Sequence, residues 1–208
     1  MSAVVLNAPV YVTDDVVRLF SGIPYLTLGR PTAISLLRDM ARDGAELKHV
    51  LSLYPHVLYQ PLELHYDCLR VTAALTDELV DELTTAYTWR GVVWAAWAVA
   101  LRPEARFERY LRSGRARAPR NTWIVDLALA EIEHSECPAY AEHQALTRAV
   151  RSSLEDLPSP AVRLRQWPTG PRLIEVEAAK QDIRETYKAL GVDAALARLR
   201  LSILSSLV

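Results

Sequence analysis

The chain has 208 residues, half of them apolar and 24% charged, with a formal net charge of −1. That composition excludes a disordered chain, and the near-neutral balance excludes a general electrostatic attraction to nucleic acid or anionic membrane. Two cysteines, Cys68 and Cys137, stand far apart with no CxxC spacing, which argues against a disulfide scaffold or a cysteine zinc site.

Residues 1–11 lack a basic stretch ahead of their short apolar run, so no secretory signal is expected. The longest uncharged apolar run, residues 91–101, falls well short of the roughly 20 residues a membrane-spanning helix needs. A cytoplasmic protein without membrane association is the resulting expectation.

Residues 3–12 read as a short strand or extended arm. Thr13 reads as an N-cap, followed by Asp14 and Asp15 where the helix dipole favours anions. Pro31 opens a second helix with Ile34, Leu37 and Met40/Ala41 as its stripe, and Gly44 is expected to stop it. A short helix over residues 45–53 then ends at Pro55. Leu62, Leu64 and Tyr66 alternate like a strand, whereas residues 68–75 read as helix.

Thr76 is expected to cap an acid-rich helix, and Thr88 to cap residues 89–101, which are apolar nearly all round and therefore central. Trp94, Trp97 and Leu101 recur at i, i+3 and i+7, the spacing of a core stripe. Trp89 is read as core too, with Arg90 pairing an acid or capping a carbonyl. Pro103 opens an Arg-rich helix closed near Gly114, Asn121 caps residues 122–134, and Pro138 opens a helix with Leu146, Ala149, Val150 and Leu154 inward.

Residues 155–171 hold four prolines and a glycine and read as a hinge. Beyond it, one helix carries Val176, Ala179, Ile183, Tyr187 and Leu190. Gly191 breaks the chain, and another helix runs from Val192 with Leu196, Leu199 and Ile203. These elements predict an all-α fold, a multi-helix bundle or a short α-solenoid of antiparallel helical hairpins, in one domain with a hinge before the C-terminal hairpin.

Charge is clustered. Asp77, Glu78, Asp81 and Glu82 share one helix, and Glu131, Glu133 and Glu136 crowd another turn. Acids at helix starts are explained by the dipole, and as an exposed face they offer docking for a basic partner. Seven arginines lie within residues 102–120. Of these, Arg112, Arg115, Arg117 and Arg120 form the best candidate anion-binding loop, since guanidinium groups suit phosphate and carboxylate.

Two Glu-x-x-His spacings, Glu46/His49 and Glu131/His134, match half of a carboxylate-bridged metal site if they converge. Cys137, ahead of Pro138 and a turn beyond His134, is a candidate helix-start thiol. His143 reads as half-buried, and His56 and His65 show no recognised ligand spacing. There is no glycine-rich phosphate loop, no G-x-S-x-G elbow and no H-E-x-x-H, which removes most familiar enzyme classes.

The segment Tyr87-Thr88-Trp89-Arg90 through Trp97, then Phe107-Glu108-Arg109-Tyr110-Leu111 and Ile124-Val125-Asp126-Leu127-Ala128-Leu129-Ala130, resembles an uncharacterised bacterial family of helical proteins. Where that family has a glycine-rich loop, this chain has Arg117-Ala118-Pro119-Arg120-Asn121. The family is similar to immunity proteins encoded beside polymorphic toxins, and the resemblance implies neutralisation of a toxin by direct binding. The expectation is therefore a non-enzymatic protein-binding domain of immunity or antitoxin type, with another protein as partner and no cofactor or metal. The alternatives are a helical metalloenzyme built on the two Glu-x-x-His pairs, a thiol enzyme using Cys137, and an anion- or nucleic-acid-binding module built on residues 102–120.

Overall fold

A computed structural model describes residues 10–23, 30–53 and 63–206. Among them the regular structure is helical, and no strand is present. The expectations for residues 3–9, Pro55, His56 and Leu62 lie outside the described residues. The chain divides into two compact units, Met1–Leu164 and Arg165–Val208, with the boundary inside the proline-rich segment read as a hinge. No described helix is long and apolar enough to cross a membrane.

The first unit contains α1 (Thr13–Ser21), α2 (Arg30–Leu53), α3 (Glu63–Ala73), α4 (Asp77–Thr85), α5 (Trp89–Leu101), α6 (Glu108–Gly114), α7 (Thr122–Ile132) and α8 (Ala141–Leu154). At its centre α5 lies against α7 and also touches α3, α4, α6 and α8. Sequence dictates this placement. Residues 91–101 carry no charge, so α5 has no polar face to offer water, and all of them except Trp94 are buried. Trp97 is enclosed, while Trp94 is half-buried and stacks on Phe20 of α1 with ring centroids 5.1 Å apart.

Capping follows the sequence only in part. The Thr76 hydroxyl accepts a hydrogen bond from the Leu79 amide at 3.2 Å, as expected at the start of α4. Thr88 and Asn121 occupy cap positions without a side-chain bond, and Thr13 is the first helical residue rather than the cap. Residues 64–66 are helical, because His65, Cys68 and Leu69 bury at i, i+3 and i+4 in α3.

Gly44 does not end a helix: α2 runs straight through it. The residue is buried where α2 lies along α8, and a Cβ there would stand 2.3 Å from Ser153 Oγ and 2.7 Å from Ser153 Cβ. A glycine that reads as a stop is thus a point of close helix approach.

Glu82 ties the N-terminal segment to α4. It is only 4% exposed, and its Oε2 accepts the amides of Val10 at 2.8 Å and Tyr11 at 2.9 Å. Burial pushes its carboxyl above the ordinary range, and those two amides offset only part of that. A carboxyl raised in the folded state adds stability that is complete below the ordinary glutamate range and is lost as pH rises through the raised value. Glu82→Ala is therefore expected to cost about 1–3 kcal/mol by stranding two amides. Glu82→Gln keeps an acceptor and is expected to cost less near neutral pH, a ranking that urea denaturation checks directly.

Candidate protein-binding surface

The predicted acidic residues do not form one uncommitted face. Asp77 pairs with Arg106 at 2.9 Å and accepts the Tyr110 hydroxyl at 3.3 Å. Glu78 is exposed and Asp81 half-buried, while Glu82 is held inside as described. Glu133 pairs with Arg112 at 2.5 Å, and Glu136 accepts from Arg148 at 3.1 Å.

Glu131 departs furthest from an exposed reading, with 2% exposure. Its carboxylate receives Arg148 Nε at 2.8 Å, Gln144 Nε2 at 2.8 Å and Arg151 Nη2. Gln144 also donates to the Ser135 carbonyl at 2.8 Å and accepts the Cys137 amide at 2.9 Å, so the network staples the turn between α7 and α8. Burial alone would push the Glu131 carboxyl up, but the bonds from Gln144, Arg151 and Arg148 prevail and hold it below the ordinary range.

Most of the arginine segment is likewise paired within its own unit. Arg112 bonds Glu108 at 2.6 Å as well as Glu133, and Arg115 grips Asp126 with two bonds at 2.7 and 3.0 Å. Arg117 donates to the carbonyls of Thr84 and Tyr87, closing off the end of α4. Arg120 is exposed. Three of the four candidate anion-binding arginines thus act as struts between elements, engaged by acceptors that phosphate would have to displace.

Among the described residues the metal and thiol readings find no assembled site. Glu46 and His49 are exposed on α2, whereas Glu131 is enclosed against α8. His134 lies beyond the end of α7 with φ 52°, so the second Glu-x-x-His pair does not share a helix face. Among the described residues no group of three or more His, Cys, Asp or Glu side chains is placed to hold a metal ion. Burial, with Asp126 nearby, pushes the Cys137 thiol up, the opposite of activation. His143 is buried rather than half-buried, tilted against Trp123 at 5.0 Å. Trp89 is exposed rather than core, with the Arg90 guanidinium over its ring at 5.4 Å.

Apolar exposure concentrates instead in the second unit, in α9 (Pro171–Leu190) and α10 (Val192–Leu201). Gly191, at φ 82°, makes the sharp turn between them, and the terminal turn Ile203–Ser206 touches both helices. Ile174 and Leu190 are each 73% exposed and Leu201 is 85% exposed, joined by Leu173, Tyr187, Val192 and Leu196.

Between the two helices runs a groove of about 370 Å³. Ile183 and Tyr187 line one wall, and Val192, Ala195, Leu196 and Leu199 line the other, with Arg184 and Lys188 beside them. The signal was present in the sequence as the i, i+3, i+4, i+7 stripe of α10, but it reads as an interior stripe because periodicity does not say whether a face is covered. Comparison of the chain with protein-family models, with characterised proteins and with solved structures found no match.

Proposed function

We propose that this chain is a protein-binding domain whose contact surface is the α9–α10 hairpin. The observation that carries the reading is the concentration of exposed apolar side chains there. Seven of the twelve large apolar residues exposed among the described residues lie in this short hairpin. Exposed apolar side chains gathered along a groove, as Tyr187, Val192 and Leu196 are, mark interaction sites in soluble domains. The internal pairing of Arg112, Arg115 and Arg117, and the burial of Glu82 and Glu131, favour the hairpin over the charged clusters as the point of contact. An immunity-type role, in which direct contact blocks a toxin, is the specific form of this proposal that the resemblance supports.

A photo-crosslinking amino acid at Leu196 of the full chain, in the cells that naturally make it, tests the reading. The expected result is a defined adduct to one protein, missing from the same probe at Val17 on α1. Equal adducts at both positions, or none at Leu196, would overturn it.

A further inference from the structure

We infer that the groove between α9 and α10 receives an amphipathic helix of the partner, with carboxylates flanking its apolar stripe. This rests on the protein-binding reading and specifies the partner's chemistry. The walls are apolar and arranged for a helix: on α10 the lining positions follow i, i+3, i+4 and i+7 from Val192 to Leu199. At a rise of 1.5 Å per residue that wall is about 10 Å long, enough to meet two turns of a second helix. Helix-in-groove recognition works through anchors at this spacing.

The rim decides the sign of the partner's charge. In the same hairpin Lys180 is neutralised by Glu177 at 2.7 Å, and Arg198 by Asp182 at 2.6 Å. Arg184 and Lys188 are the charged side chains that line the groove itself, and both are exposed. Two cations beside an apolar trough favour carboxylates at the matching positions of the incoming helix and disfavour ammonium groups there. A second copy of the hairpin is a poorer fit, because its own groove side would present Arg184 and Lys188 to the same cations.

The test uses the full chain and two fluorescein-labelled synthetic helices of 18 residues or so, sharing a leucine stripe at i, i+3, i+4 and i+7. One carries glutamate on both flanks and the other lysine. By fluorescence anisotropy the glutamate helix is expected to bind at least about tenfold more tightly, with the preference shrinking in high salt.

R184E/K188E is expected to abolish or reverse that preference, and L196E to weaken the glutamate helix about tenfold or more. Leu196 and both cations are exposed, so these changes leave the fold intact, which circular dichroism verifies. Equal binding of the two helices, no binding of either, or a preference indifferent to R184E/K188E would overturn the inference. So would a dimer in sedimentation that L196E dissolves, since a second copy would then occupy the groove. Failure of the peptides with a retained Leu196 crosslink removes the acidic helix alone, whereas loss of the crosslink removes the binding surface itself.

Discussion

Glu131→Gln is expected to lower the stability of the chain by about 3 kcal/mol at neutral pH, because removing one member of a buried ionic network leaves the others uncompensated. Glu131 is enclosed, while Arg151 and Arg148 retain 20% and 38% side-chain exposure. The stranded guanidinium groups can therefore recover some hydration, which places the loss at the lower end of the range for broken buried pairs. The loss should extend to the turn that Gln144 braces through Ser135 and Cys137.

The pH dependence has a definite sign. A carboxyl held below its ordinary range contributes stability that is present above the unfolded value and lost as pH falls through the folded value. The gap between wild type and Glu131→Gln should accordingly be widest near neutral pH and shrink in acid. Urea denaturation of both proteins across that span checks it. A gap that is small and independent of pH would remove the network from the account of stability. Glu82, also a buried glutamate, has the opposite sign, because backbone amides alone compensate it while Glu131 has two arginines.

Gly44→Ala is expected to destabilise the chain by about 2 kcal/mol, within the usual cost of overpacking. At a helix position with open space the same change stabilises by roughly 0.5–1 kcal/mol, so the sign itself is diagnostic. The new methyl would meet Ser153 Oγ at 2.3 Å and Cβ at 2.7 Å, and His65 Nε2 at 3.1 Å. Relief requires α2 to move off α8, and His65 sits under that seam with its Nε2 hydrogen-bonded to the Met40 carbonyl at 3.1 Å.

Ser153→Gly added to Gly44→Ala is expected to recover part of the loss by moving the gap to the facing helix. Thermal denaturation of the single and double variants measures this. If Gly44→Ala raises the melting temperature, α2 and α8 do not approach as closely as described.

Much of the fold was legible because it depends on neighbours within one helical turn. The Thr76 cap, the all-round apolar composition of α5 and the break at Gly191 are local patterns, and each appears where the sequence places it. Some misreadings were local, such as the cap at Thr13 and the alternation of Leu64 and Tyr66, but the larger ones share a long-range cause. Gly44 has the composition of a stop, and its use as a contact depends on Ser153, more than a hundred positions away. Arg115 and Arg117 look like a free basic loop until Asp126 and the carbonyls at the end of α4 are brought to them.

The amino-acid sequence by itself therefore determined that the chain is helical, where most helices begin and end, and which of them lies at the centre. Hydrogen bonding between near neighbours and the period of apolar residues are sufficient for that. Only the tertiary structure decided which charges are spent. Glu82 and Glu131 stand beside exposed acids in sequence and cannot be told from them until the Val10 and Tyr11 amides, or Arg148 and Arg151, are packed against them. It decided equally that Tyr187, Leu190 and Leu196 on α9 and α10 are open while Val176 and Ala195 are covered, since amphipathic spacing records that a face seeks cover and leaves open what supplies it.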